Sequence, residues 1–172
     1  LGKDLHWAIA GRNQAKLEKT RQQVGASDLP IVLADSLDKP LLEVMVRQTK
    51  VVCSTVGPYA LYGSPLVEAC VENGTDYCDL TGEVQWIHQM IDTYHTKASD
   101  KQVKIVHCCG FDSIPSDFGV YFIQKEAKSR TGQYCQQVKM RVKGARGKIS
   151  GGTYFSLTNV LAEAELDQAI YQ

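Results

Sequence analysis

No glycine-rich G-x-G-x-x-G turn stands between an apolar run and a following helix pattern, although the chain holds 14 glycines. No Cys-x-x-C pair occurs among Cys53, Cys70, Cys78, Cys108, Cys109 and Cys135, which excludes the usual zinc and redox-motif spacings. Most of these cysteines lie in apolar runs, where a free Cys is expected as a small buried hydrophobe in a reducing compartment. Charge of one sign is missing too. The 19 Lys+Arg and 19 Asp+Glu cancel to +0, which argues against a dominant nucleic-acid or anionic-membrane surface. The longest uncharged stretch, 51–67, is broken by Gly57, Pro58, Gly63 and Pro65, whereas a membrane helix needs about 20 apolar residues. No secretory signal is read at the start.

What remains is ordinary globular material. A length of 172 residues with 44% hydrophobic and 22% charged side chains suits about one main domain and excludes disorder. The chain begins Leu1-Gly2-Lys3 and stops at Gln172 inside a helical pattern, so it is read as a fragment.

Apolar runs and amphipathic stretches alternate along the chain. Leu5–Ala10, Pro30–Ala34, Val51–Ser54, Asp76–Leu80 and Val103–Cys108 read as five short buried strands. Between them lie helices: one capped by Asn13, one with Pro40 in its first turn, and one opened by Ser64-Pro65 and closed by Gly74. A longer one follows Val84, and another runs from a cap at Ser116 or Asp117 to Gly132. Val138–Lys143 alternates with period 2 and reads as a half-buried strand of a second unit beginning near residue 133. Leu157–Ala169, with Ile170, has near-helical spacing, and this tail is expected to self-associate or to be disordered.

Continuous apolar strands separated by helices predict a parallel sheet covered on both faces. Ligands of such sheets bind beyond the C-terminal ends of the strands. That selects Gly11-Arg12-Asn13, Asp35-Ser36, Thr55 to Tyr59, Thr81-Gly82-Glu83 and Gly110 to Ser113 as candidate site segments. Arg12 follows a strand where a dinucleotide fold places either an acid for a ribose 2′-OH or an Arg for a 2′-phosphate. An Arg without the acid points to NADP(H); a plain surface Arg is the alternative.

Other motifs fade on inspection. Gly144-Ala145-Arg146-Gly147-Lys148 lacks the first Gly and the final Ser/Thr of a P-loop, since Val142 and Ile149 stand there; a basic hairpin turn is the simpler reading. Tyr121 and Lys125 match a Tyr-x-x-x-Lys pair, a spacing that 8 tyrosines in 172 residues meet by chance about as often as not. They read as a solvated helix face. His107-Cys108-Cys109 alternate across a strand, so no metal is expected there. Asp117 reads as a dipole partner in a first helical turn, and Asp112, without that role, as a site residue. Tyr59 and Tyr62, on an uncharged loop, line a pocket or pack the loop.

The runs AIAGRNQAKLE, VVCSTVGPYALYGSPLVEACVENGTDYCDLTGE, GFDSIPSDFGVYF and SGGTYFS occur in this order. In them the chain resembles the saccharopine dehydrogenase-like oxidoreductases, a group that includes trans-acting enoyl reductases of lipid synthesis. The resemblance implies an α/β fold: a Rossmann-like doubly wound parallel sheet lacking its first strand over residues 1–132, with the beginning of a second α/β domain over 133–172. Arg12 and Asn13 would lie by the adenosine phosphate, Asp35 by the adenine, and Ser54, Thr55, Gly57, Pro58 and Tyr59 along the ribose and nicotinamide. Tyr62, Glu83, Gly110, Asp112 and Ser113 would face the substrate. No catalytic residue carries over.

The implied function is NADP(H)-dependent reduction of a lipid enoyl or imine-type substrate by the intact protein. The alternative is a non-catalytic nucleotide-binding or lipid-surface adaptor. A cytoplasmic protein is expected, with room for a homodimer and for peripheral association with membranes or lipid droplets. The 172 residues alone are expected to bind NADPH poorly, for want of the phosphate-binding turn.

Overall fold

A computed structural model describes residues 5–144, 147 and 151–166. Strands and helices alternate from the start. β1 (Ile9–Gly11) leads into α1 (Gln14–Gln23), whose first turn is capped by Asn13 Oδ1 accepting from Lys16 N–H at 3.0 Å. β2 (Ile31–Leu33) is followed by α2 (Lys39–Val46), with Asp38 as the cap and Pro40 in the first turn, where a missing N–H does no harm.

β3 (Val51–Ser54) runs into a short helix α3 (Tyr59–Tyr62) and then α4 (Ser64–Asn73). Gly74, in the left-handed region at φ 75°, ends α4 as a residue without Cβ can. β4 (Asp76–Asp79), α5 (Val84–Asp100), β5 (Ile105–Val106), α6 (Ile114–Thr131) and α7 (Gly151–Leu166) complete the described elements.

All strand pairings among the described residues are parallel. β1 pairs with β2, Ile9 opposite Ile31 and Gly11 opposite Leu33. β4 lies between β3 and β5, with Cys53 opposite Cys78 and Ser54 opposite Asp79 on one side, and Cys78 opposite Val106 on the other. The two ladders form separate sheets of two and three strands among the described residues.

One face of the three-stranded sheet makes the core. Val52 and Tyr77 pack with Leu42, Val46, Val67, Cys70, Val71, Trp86 and Met90 of α2, α4 and α5. Val46, Val67, Cys70 and Val71 are completely buried. Full burial of a Val side chain contributes roughly 1.5–3 kcal/mol, so α2 and α4 are held mainly by this stripe. The alternation that buries Tyr77 and Asp79 turns Val51 and Cys53 to the opposite face, where both are exposed.

Several sequence expectations need correction. Val138–Lys143 forms no strand; Met140 and Val142 stay exposed, because no neighbouring chain among the described residues offers a ladder. Ser64 does not cap α4: its hydroxyl accepts from Trp86 Nε1 at 2.9 Å, and Gly63 takes the cap position. α6 begins at Ile114, ahead of the expected cap at Ser116 or Asp117, with Ser113 preceding it. Only Cys70 of the cysteines is buried. The start of the tail helix also lies earlier, at Gly151. Leu1–Lys3, Ala145, Arg146, Lys148, Ile149, Ala169 and Ile170 lie outside the described residues.

Candidate functional site

The C-terminal ends of the strands carry three groups of polar residues. At the end of β1, Arg12 Nη1 stands 3.9 Å from Asp35 Oδ2 beyond β2. The Arg12 side chain is 76% exposed, so its donors remain open to a ligand. Asp35 Oδ1 accepts from Leu37 N–H at 3.0 Å, which fixes the turn after β2. An open groove of about 650 Å³ runs along Asp35, Leu37, Asp38, Lys39 and Pro40. Asn13, beside Arg12, is committed to its cap.

The second group is a buried knot around Tyr59. The loop after β3 passes through a cis Gly57-Pro58 bond into α3. Glu83, 1% exposed, reaches back under it. Its Oε1 accepts from Tyr59 N–H at 2.8 Å and its Oε2 from Ala60 N–H at 2.9 Å, satisfying two orphan donors of the helix start. The Tyr59 hydroxyl donates to the Ser54 carbonyl at 3.1 Å and accepts from Leu80 N–H at 3.3 Å, tying the ends of β3 and β4 together. Burial pushes the Tyr59 hydroxyl up to about 12. The Tyr59 ring lies 5.5 Å from Trp86, and Ser54 and Pro58 are buried beside it, while Thr55 is exposed and Gly57 and Tyr62 are half-buried.

The resemblance puts Glu83 on the substrate side. Here it holds the loop from beneath, and both carboxylate oxygens are occupied. Its backbone N–H in turn donates to Thr81 Oγ1 at 3.1 Å.

A third feature, Asp79 with His107, escaped the sequence reading. Asp79, last in β4 and fully buried, accepts at Oδ1 from Thr81 N–H and Cys108 N–H, while its Oδ2 lies 2.6 Å from His107 Nδ1. His107 is packed edge-on against Trp86, and its buried Nε2 has no partner among the described residues. Ser54, Asp79 and His107 thus follow one another across β3, β4 and the end of β5. These residue types suggest a hydrolytic triad, but Asp79 sits in the middle, and Ser54 Oγ accepts from Val56 N–H at 3.4 Å instead of meeting the imidazole. The nucleophile–base contact is missing. The available signal was the Asp at the end of an otherwise buried strand, which demands a partner.

Asp79 also shapes the segment after β5, from Cys108 to Ser113. Cys108 adopts φ 60°, a conformation costing a non-glycine residue roughly 1–2 kcal/mol, and Asp79 holds it through Cys108 N–H and through its own carbonyl, which accepts from Cys109 N–H at 2.7 Å. Gly110 then accepts at its carbonyl from Ser113 N–H and Ile114 N–H, turning the chain into α6. Asp112 is exposed at this turn and Ser113 half-buried; Asp117 lies in the first turn of α6, where a carboxylate suits the helix dipole. Tyr121 is 65% exposed on that helix.

Among the described residues no group of three His, Cys, Asp or Glu side chains converges as a metal site, and no helix is long and apolar enough to cross a membrane.

Residues 2–106 match the family model described as the saccharopine dehydrogenase NADP binding domain. A relative from Mycobacterium tuberculosis is 41% identical over 168 residues, spanning 96% of this chain and 40% of its own length. A trans-acting enoyl reductase of Mycobacterium ulcerans is 39% identical over 168 residues, with the same coverage. The chain therefore spans about 40% of the length of these curated relatives. Among solved structures, saccharopine dehydrogenase (L-Glu forming) from Saccharomyces cerevisiae matches with a TM-score of 0.60 at 17% identity, over 76% of this chain and 27% of that one. That match shows a shared α/β fold.

Proposed function

This chain belongs to the saccharopine dehydrogenase NADP binding domain family, and from that premise we propose that the whole protein is an NADP(H)-dependent oxidoreductase. Arg12 carries the cofactor reading. Its exposed guanidinium stands beyond the C-terminal end of β1, loosely engaged by Asp35, where a 2′-phosphate could take both of its free edges. The open, shallow surface along Asp35 to Pro40 is where the adenine would lie beside that phosphate.

When bound, the nicotinamide would supply hydride chemistry. The residues of this chain position and shield. The Ser54–Tyr59 segment, clamped by Glu83, forms a rigid wall at the end of β3. Gly110, Asp112 and Ser113, held through Asp79 and the Cys108 turn, would face the substrate. The substrate class that fits the relatives' name is an enoyl thioester; an imine is the second candidate.

The test uses the whole protein with NADPH deuterated at C4 and an enoyl thioester of long-chain fatty acid type. Deuterium at the β-carbon of the saturated product is expected. Tight NADPH binding without transfer to an enoyl or an imine substrate would leave the non-catalytic adaptor instead.

A further inference from the structure

The sheet face opposite the core holds two thiols side by side. Cys53 of β3 and Cys78 of β4 are register partners in a parallel ladder, so their side chains leave the sheet on the same face. Adjacent strands lie about 4.7–4.9 Å apart, inside the Cα separation of about 4.4–6.8 Å that disulfides span. Cys53 is exposed and Cys78 half-buried. Cys109, nearby, is turned away, its thiol directed to the carbonyls of Val106 and His107.

We propose that Cys53 and Cys78 form a reversible disulfide, closed by exchange with a low-molecular-weight disulfide such as oxidised glutathione. Exposed Cys53 is the first nucleophile. Its thiolate attacks one glutathione sulfur, the glutathione S–S bond breaks, and one glutathione thiolate leaves. The Cys78 thiolate then attacks the Cys53 sulfur of the mixed disulfide and expels the second glutathione. The protein pair loses two electrons and two protons, and one glutathione disulfide becomes two thiols.

Burial is the main reason the Cys78 thiol is pushed up to about 12, with its hydrogen bond to Cys53 and the nearby Cys53 and Cys109 thiols adding to it. Cys78 thus suits the resolving step better than the first attack. In-register parallel neighbours hold their Cβ atoms farther apart than a relaxed disulfide does, so the bridge is strained and easily reduced. It is a switch more than a staple. Closing it draws together the residues just before Ser54 and Asp79, the pair that anchors the Tyr59 loop and His107.

The whole protein is incubated in glutathione buffers of graded oxidised fraction, quenched by alkylation, digested and mapped by mass spectrometry. A peptide pair linked through Cys53 and Cys78, lighter by two hydrogens and lost on return to reduced glutathione, is expected. Cys78→Ser should trap glutathione on Cys53, and Cys53→Ser should abolish both adducts. Stable glutathionylation of Cys53 in the wild-type protein without a linked pair, an unreactive Cys53, or a bridge joining Cys78 to Cys109 would each overturn the proposal. This readout does not depend on cofactor binding, so it stands apart from the oxidoreductase reading.

Discussion

The Glu83 carboxylate accepts the Tyr59 backbone N–H at 2.8 Å across 24 residues of sequence, and with the neighbouring Ala60 N–H it anchors the loop after β3. Removing that carboxylate leaves buried donors with no acceptor. Glu83→Ala should therefore cost about 3 kcal/mol, whereas Glu83→Gln, which keeps one acceptor oxygen, should cost roughly half as much. Midpoints of urea denaturation compare the two; equal losses would mean that the negative charge, and not the number of acceptor oxygens or the packing, holds the loop.

Gly63 meets Trp86 at closer range than any side chain allows. A Cβ there would lie 2.6 Å from Trp86 Cζ2 and 2.8 Å from the Tyr59 carbonyl. Gly63→Ala should destabilise the fold by about 1–3 kcal/mol, because the indole is itself buried and fastened to Ser64. Gly110→Ala is the contrast: its Cβ would crowd the Asp112 carboxylate end at 2.7 Å, which can rotate away, and would touch Leu80 at an ordinary 3.8 Å. Thermal unfolding should rank Gly63→Ala well below Gly110→Ala.

Tyr59 gives stability an alkaline limit. Its folded-state value is raised from 10.0 to about 12, so the stabilisation is fully present below pH 10 and is lost as the pH rises toward 12. The loss amounts to roughly 2 kcal/mol for this one group. Urea midpoints measured from pH 8 upward should fall less steeply in Tyr59→Phe than in the wild type; parallel curves would remove Tyr59 as the cause.

Asp79 and His107 stand or fall together. Asp79→Ala strands a buried imidazole and the Cys108 N–H, and should cost about 3 kcal/mol or more, while Asp79→Ala combined with His107→Leu should recover part of it. Additive losses in that double-mutant cycle would show that the 2.6 Å contact carries no coupling.

Much of this fold is legible in the sequence because punctuation is local. Asn13, Pro40, Gly74 and Gly132 mark helix ends by properties of their own backbone or side chain, and the structure puts them there. The β3 run 51–54 is likewise read at its exact bounds. Long-range bonds are another matter. Ser64 looks like a cap from its neighbours, yet Trp86, 22 residues away, claims its hydroxyl. Glu83 looks like a site residue on a strand-end loop, yet its partners are backbone groups of a helix that the uncharged run 57–63 does not announce. Cys53 looks buried in its apolar run, yet strand alternation turns it outward. The placement of Arg12 and Asp35 at strand ends is legible because topology alone fixes those ends, and the parallel pairing of β1 with β2 brings the two face to face.

The cofactor preference proposed for Arg12 is tested most directly in the whole protein. Isothermal titration of wild type and Arg12→Asp with NADPH and NADH should show NADPH bound more tightly by the wild type. The substitution should weaken NADPH by on the order of 1.5–3 kcal/mol, the range of a charge-assisted contact, and leave NADH nearly unchanged. Equal affinity for the two cofactors, unaltered by the substitution, would contradict it.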